Sequence, residues 1–384
     1  MPERIVQIGA EWLPNRAGGM NRYFYGLVHA VARAGLNASA IVTYLRDGQQ
    51  GPIRLMPMAR EGAGVLERMR GARRRMREAC AQGAELVNTH FALYAYPCMQ
   101  EIPPQARLIV SFHGPWADEM LAEHDGLRWR MQAALARAIE RRVYRRADRL
   151  ITLSHSFAAI ADERYGVAPD RIHVVPGGLD LGAYVRIPLD AKREARRRLG
   201  WPDDRPIVLT VRRLARRMGL ERLVDAACLL APEFPRLLVL IAGKGPLEAE
   251  LRSRIAARGV DNNVRLIGFV PDEELPLAYA AADLTVVPSV ALEGFGLVSV
   301  ESMAAGTPVI GTPIGGTTEV LSGISTALLT ASAETEAIAA KLREALSGKL
   351  AMPAPAECRR YALRFDWEAV WPNIERVWQE ADRR

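Results

Sequence analysis

The sequence predicts an α/β fold of two doubly wound parallel-sheet domains, and three observations carry that prediction. The chain has 384 residues, too many for one ordinary core and suited to two domains of about 150–200 residues each. Short apolar runs alternate with helix-period segments along the whole chain, the pattern of strand–helix–strand units in a parallel sheet. A Pro/Gly-rich stretch at 174–190, VVPGGLDLGAYVRIPLD, divides the alternation into two series and reads as an interdomain linker.

The first series opens with RIVQIGA, an apolar run that leads into the loop EWLPNRAGGMN. Tyr23, Leu27, Ala30, Val31 and Ala34 then recur at helical spacing. ASAIVTYL, AELVNTHF, RLIVSFHG and DRLITLS continue the strands, with helical segments such as 128–147 between them. In the second series PIVLTV, LLVLIAG, NVRLIGFV, ADLTVVPS and TPVIGTP alternate with helices around 219–231, 246–258, 273–281 and 297–305. The closing segment FDWEAVWPNIERVWQEA reads as a helix whose three tryptophans pack back onto the first domain. The expected domains are therefore 1–180, completed by a helix at about 366–384, and 186–365.

No run approaches the roughly 20 apolar residues that span a bilayer, so the chain is expected to be soluble. Its start runs straight into a strand without a signal-peptide pattern. Cys80, Cys98, Cys228 and Cys358 are scattered, with no metal or redox spacing. Reduced thiols and a cytoplasmic location are expected, and no metal site. Residues 1–185 hold 24 Arg against 18 Asp and Glu, an excess of +6 out of a total of +7, which suits an anionic partner of the first half. Within it, VLERMRGARRRMREA at 65–79 puts Leu66, Met69, Ala72, Met76 and Ala79 along one helical side and most arginines elsewhere. Two readings stay open: a domain helix with a solvated basic face, or a peripheral helix on the inner face of an anionic membrane.

Ligands of doubly wound sheets bind beyond the carboxyl ends of the strands, at loops feeding helix N-termini. Two glycine loops qualify: Ala17-Gly18-Gly19 and Gly294-Phe295-Gly296. The second is the more specific, because Glu293 in the loop and Glu301 in the following helix are two carboxylates able to accept hydrogen bonds from sugar hydroxyls.

The segment EGFGLVSVESMAAGTPVIGTPIGG resembles the donor-binding signature of the GT-B fold retaining glycosyltransferases of family 4, also called glycosyl transferases group 1. PNRAGGMNRYFYGL, VSFHG, ADRLITLSHSF, VVPGGLD, VRRLARRMGLERLVDA, LIAGKGPLEAEL and RLIGFVPDEEL agree with that family in order, over nearly the whole chain. The resemblance implies two Rossmann-like domains facing a cleft, the first for the acceptor and the second for a nucleotide-sugar donor. It implies that Glu301 binds the nucleotide ribose and Glu293 the transferred sugar, aided by the amides of Phe295, Gly296 and Leu297. Gly19, beside Gly18, would approach the diphosphate. The Gly243–Pro246 loop, with Gly243 and Gly245, and the Phe269–Val270 backbone would flank the base, and His113 would lie beside the reacting sugar. Asn88, His90 and Tyr94 are candidates for the acceptor side.

The same resemblance places Arg213 on the donor phosphates and a lysine five or six residues later, before a glycine. Here that position is Met218, before Gly219. A thioether supplies no charge. Arg217 is the expected second cation, with Arg216 as the alternative; strand alternation turns Arg212 away from Arg213. On that reading a lysine at 218 would be tolerated.

The implied reaction is retaining, metal-independent transfer of a sugar from a nucleotide diphosphate, UDP ahead of GDP, with no cofactor beyond the co-substrate. The acceptor is a lipid-linked, polysaccharide or small molecule. An oxidoreductase would need a G-x-G-x-x-G turn after a strand with an acidic residue about 20 positions later, which is absent. Nucleic-acid binding would need aromatics interleaved with the arginines, and none accompany them. A sugar-nucleotide-binding protein without turnover is the remaining alternative, with Met218 as its mark.

Overall fold

The structure, a computed structural model, describes residues 4–13, 15–16 and 18–380. The chain divides into two compact units, 1–179 with 365–384, and 180–364.

The first unit carries a seven-stranded sheet, β1 (Ile5–Ile8), β2 (Ala38–Val42), β3 (Arg54–Pro57), β4 (Leu86–Thr89), β5 (Arg107–Phe112), β6 (Arg149–Thr152) and β7 (Ile172–Val174). Its order is β3-β2-β1-β4-β5-β6-β7 and every pairing is parallel. β1 and β4 are buried along their whole length, as parallel strands with both faces covered must be. β3 and β7 are absent from the sequence reading. Both are edge strands without a fully buried run, β3 bearing an exposed arginine and β7 only half-buried, so neither shows a continuous apolar signal.

The helix Gly19–Arg33 follows β1 and buries Tyr23, Phe24, Leu27, Val28 and Val31. The closing helix Trp367–Glu380 docks on it. Trp367 lies so close to Gly26 that a Cβ there would sit 2.0 Å from Trp367 Nε1. Size at position 26 is thus set by the tryptophan, and any larger residue would push the closing helix off.

The helix Val65–Cys80 corrects one of the two readings of 65–79. Ala72, Met76 and Ala79 are buried in the unit's own core and Met69 packs against it, leaving Val65 and Leu66 as its exposed apolar residues. The apolar stripe is consumed by the fold, so it is a domain helix with a basic outer face.

The second unit carries five parallel strands, β8 (Ile207–Val211), β9 (Leu238–Ala242), β10 (Val264–Gly268), β11 (Leu284–Val287) and β12 (Val309–Gly311), in the order β10-β9-β8-β11-β12. Its core joins Val208, Val239, Ile241, Val286 and Ile310 to the helix Leu220–Leu230. Both units are thus Rossmann-like doubly wound domains.

Candidate functional site

Each sheet reverses its winding once, between β1 and β4 and between β8 and β11. Loops leaving strands at such a switch point diverge, and this is where doubly wound folds bind ligands. The sequence-predicted residues fall at these two places, one set in each unit.

In the five-stranded unit, Arg212 and Arg213 follow β8. Alternation turns Arg212 inward, 8% exposed, and Arg213 outward. The Arg212 guanidinium forms an ion pair with Glu293, and its Nη2 also donates to Ser289 Oγ at 2.9 Å and to the Met218 thioether at 2.8 Å. Ser289 Oγ donates to Glu293 Oε2 at 2.6 Å. Burial pushes the Glu293 carboxyl up, but the Arg212 charge, the Ser289 hydroxyl and the Arg217 charge outweigh it and hold the group below its ordinary range. Glu293 is therefore an oriented carboxylate at neutral pH.

The backbone bearing it is equally constrained. Leu292 has φ 51°, a left-handed conformation that costs a non-glycine residue about 1–3 kcal/mol and persists only where the surroundings hold it. Arg217 Nη1 donates to Leu292 O at 3.0 Å, Val290 N donates to Arg217 O at 2.9 Å, and Gly316 N donates to Glu293 O at 2.8 Å. A Cβ on Gly315 would lie 2.1 Å from Glu293 O, so the next helix reaches the loop only through a glycine.

The helix Leu297–Ala304 starts from Gly296 with no side-chain cap, leaving its first amides directed at the loop. Phe295 is buried and Gly294 half-buried beside it. Ser299 Oγ and Thr317 Oγ1 are buried without a hydrogen-bond partner among the described residues, and both flank Gly296, whose added Cβ would approach them to 3.5 and 2.9 Å. Buried hydroxyls without partners are costly, so this pair marks a place built for a polar ligand. Glu301, one turn on, is 3% exposed and accepts from Tyr279 Oη at 2.9 Å.

Gly243 and Gly245 follow β9 and press on the backbone after β8; Cβ atoms there would lie 1.9 Å from Arg212 O and 2.3 Å from Leu214 O. Gly243 N donates to Gly268 O at 2.6 Å, and exposed Phe269 and half-buried Val270 follow at the end of β10. Arg213, Gly243, Gly245, Phe269, Val270 and the 293–297 loop therefore share one carboxyl edge of this sheet.

In the seven-stranded unit, Gly18 and Gly19 are exposed at the uncapped start of the 15-residue helix after β1; Ala17 lies outside the described residues. At the ends of β4 and β5 a chain of hydrogen bonds runs from Ser111 Oγ to Asn88 Oδ1 (3.1 Å), from Asn88 Nδ2 to His90 Nε2 (3.3 Å) and between His90 Nδ1 and His113 Nε2 (3.0 Å). An amide nitrogen only donates, so His90 Nε2 accepts and its proton sits on Nδ1. His113 Nε2 must then accept in turn, and neutral His113 carries its proton on Nδ1. Burial pushes His113 down to about 3 and, with His113 as neighbour, His90 well below its ordinary value, so both are neutral. His113 is consequently a hydrogen-bond donor through Nδ1 whose other nitrogen is already occupied.

Two of the expected residues are engaged within their own unit. Tyr94, on the short helix Ala92–Ala95, belongs to the core, 5% exposed, and its hydroxyl engages Arg68 of the Val65–Cys80 helix. Arg217 braces the Leu292 carbonyl, while Arg212 is the cation on Glu293. Sequence reasoning discounted Arg212 because it points away from Arg213, and that inward direction is what brings it to Glu293. Ser289, Ser299 and Thr317 were not singled out at all; isolated hydroxyl residues carry no sequence signal of burial.

Two family models match the chain: "Glycosyltransferase Family 4" over residues 17–183 and "Glycosyl transferases group 1" over residues 191–365. The chain belongs to glycosyltransferase family 4. This family 4 protein is 36% identical over 249 residues to the D-inositol 3-phosphate glycosyltransferase of Thermobispora bispora, covering 62% of this chain and 57% of the relative. It is 31% identical over 227 residues to the 2-deoxystreptamine glucosyltransferase of Streptomyces kanamyceticus, covering 59% of this chain and 57% of the relative. The matched stretch thus spans little more than half the length of these relatives. Sucrose-phosphate synthase from Thermosynechococcus elongatus superposes with a TM-score of 0.79 at 24% identity, over 98% of both chains. The Anabaena protein HepE, solved in complex with UDP and glucose, superposes with 0.76 at 20% identity, over 98% of this chain and 99% of that one. These likenesses carry the fold, GT-B, for the family 4 protein.

Proposed function

We propose that the protein transfers a sugar from a nucleotide-diphosphate donor, UDP ahead of GDP, to a hydroxyl acceptor with retention of anomeric configuration. The single observation carrying this reading is Glu293, a largely buried carboxylate kept ionised by Arg212 and Ser289 beside a helix N-terminus lined by two hydroxyls without partners among the described residues. A carboxylate suits the hydroxyls of a sugar, and amide and hydroxyl donors suit the adjoining diphosphate. Glu293 orients the sugar, Glu301 takes the ribose, and Arg213 with the amides of Phe295 to Leu297 steadies the departing diphosphate. The leaving phosphate helps deprotonate the acceptor, with no metal in the step, and His113 donates to the reacting sugar. The test is a thermal-shift panel of nucleoside diphosphates and nucleotide sugars, then hydrolysis and transfer assays with the best binder, with and without EDTA. Absence of any nucleotide-dependent stabilisation overturns the reading, as does strict EDTA sensitivity for metal independence. Binding without hydrolysis or transfer would favour a protein that only holds the sugar nucleotide.

The acceptor in this reading is presented at an anionic bilayer surface. Among the described residues no helix is long and apolar enough to cross a membrane. Support for surface contact lies in the helix Leu127–Tyr144, where Leu127, Met131 and Leu135 stand four residues apart and are 74%, 67% and 65% exposed. Arg128, Arg130, Arg141 and Arg142 are exposed on the same helix, the pairing of apolar insertion with cationic attraction that holds a helix on anionic lipid. Replacing all three apolar residues by serine should abolish sedimentation with phosphatidylglycerol vesicles; undiminished sedimentation removes this helix from the account, and equal binding to phosphatidylcholine removes the charge term.

A further inference from the structure

Met218 stands where the family resemblance places a lysine. Its side chain is 7% exposed, at the end of the 3-10 turn Arg216–Met218, and its sulfur lies 2.8 Å from Arg212 Nη2 and 3.3 Å from Arg212 Nε. A lysine at 218 would press an ammonium group against that guanidinium in a buried site. Arg212 in turn extends past Met218 to Ser289 and Glu293. The cation paired directly with the largely buried Glu293 is therefore rooted at the end of β8 rather than before Gly219, with the Arg217 charge acting beside it.

We propose that Arg212 and Met218 are a reciprocal exchange: the site's inward cation is Arg212 at the end of β8 instead of a lysine at 218, aimed at Glu293 rather than at the phosphates, and Met218 is the soft, uncharged neighbour that makes room for it. Three features of the site follow. The run of cations breaks at Met218 because a second charge there would repel Arg212. Thioether sulfur is polarisable and a weak acceptor, so it tolerates a guanidinium where a branched aliphatic side chain would leave the Arg212 Nε–H unsatisfied. Arg217, adjacent in sequence, donates to the Leu292 carbonyl and braces the strained loop. Arg212 is thus a positioning residue for Glu293. Its functional consequence rests on the proposed donor chemistry; its charge balance does not.

The experiment compares the full-length chain with Met218→Lys, Arg212→Met and the double variant Arg212→Met/Met218→Lys. Each is followed by thermal melting in buffer alone, by UDP affinity, and by hydrolysis of the best nucleotide sugar. Met218→Lys is expected to lower the melting temperature and to cut turnover at least tenfold, since it sets a further cation against Arg212. Arg212→Met leaves Glu293 buried without its counter-charge and should fall at least as far, in kcat more than in UDP affinity, because Glu293 faces the sugar rather than the nucleotide. The double variant restores one cation and should recover most of both losses. If Arg212→Met fails to fold while the double variant folds, the melting data alone carry the exchange. A double variant no better than the sum of its parents overturns it, and so does a Met218→Lys protein that melts and turns over like the wild type. If no nucleotide sugar binds or reacts, the proposed function fails, while recovery of melting temperature in the double variant still reads the exchange by itself.

Discussion

Glu140 is a fully buried carboxylate and Glu293 a largely buried one, one in each unit, and the chain treats them in opposite ways. Glu140, on the helix Leu127–Tyr144, accepts from four neutral donors: the Trp116 and Ala117 amides at 2.7 and 3.2 Å and the Tyr144 and Tyr165 hydroxyls at 3.2 and 2.9 Å. Burial dominates there and lifts the carboxyl to about 7. Glu293 has a guanidinium instead, and falls below its ordinary value despite its burial. The first ties the start of the helix Trp116–Glu123 to two neighbouring helices and is spent on the fold. The second stands ionised at a switch point beside a glycine-built loop. Burial of a polar residue therefore does not mark a site; the charge of its partner and its place on the sheet edge do.

The comparison is broken most directly by replacing each carboxylate with its amide. Glu293→Gln should cost about 100-fold or more in donor turnover, the scale of losing one preorganised electrostatic contact. It should also lower the melting temperature, because Arg212 keeps its charge without a counter-ion. Unchanged hydrolysis would strip Glu293 of its role. Glu140→Gln is expected to destabilise by about 1–3 kcal/mol, since one amide oxygen faces four donors, while nucleotide affinity stays at the wild-type level.

The two should also differ in sign with pH. Glu140 binds its proton more tightly folded than unfolded, so its contribution is complete below about pH 4.5 and is lost as pH rises towards about 7. Glu293 binds its proton less tightly folded, so its contribution is present above the ordinary carboxylate value of 4.5 and is lost as pH falls through its depressed value. Melting curves of the two amide variants from about pH 2 to 8 should therefore lose slopes of opposite sign, Glu140→Gln between about pH 4.5 and 7 and Glu293→Gln below pH 4.5; slopes of the same sign would refute the contrast.

The smallest expected effect sharpens the contrast between a charged and a neutral site. His90→Phe removes the donor to His113 Nε2 and should lower turnover about tenfold, the scale of one hydrogen bond. Nitrogen NMR of the wild type should show His113 protonated at Nδ1, and the variant should lose that preference. Both histidines are held neutral, so their contribution to stability is lost as pH falls below about 6.5, where the unfolded chain takes up protons; His90→Phe should flatten that loss. A wild-type His113 protonated at Nε2 would dismantle the hydrogen-bond chain.

Much of this arrangement was legible in the residues. Longer apolar runs were legible, so β1, β2, β4, β5, β6 and all five strands of the second sheet could be read, the edge strand β10 included, whereas the short edges β3 and β7, each with a charged or polar residue among its three or four positions, could not. Glu293 and Glu301 stood out because their spacing around Gly294 and Gly296 couples a loop to a helix start. The stripe of the 65–80 helix was visible too, but periodicity reports an apolar face without saying what covers it, and here the unit's own core does.

The sequence by itself determined the alternation of strands and helices, the two glycine loops, the carboxylate pair and His113, because local spacing and backbone freedom are properties of a few consecutive residues. Only the tertiary structure decided which cation faces Glu293, which hydroxyls are left unpartnered beside Gly296, and on which nitrogen His113 carries its proton. Those depend on side chains meeting across strands far apart in the chain: Arg212 with Glu293 across β8 and β11, and Asn88 and His90 with Ser111 and His113 across β4 and β5. Distance in sequence is silent about such meetings, and in a buried site of low polarity they set the charge and the proton positions on which the chemistry depends.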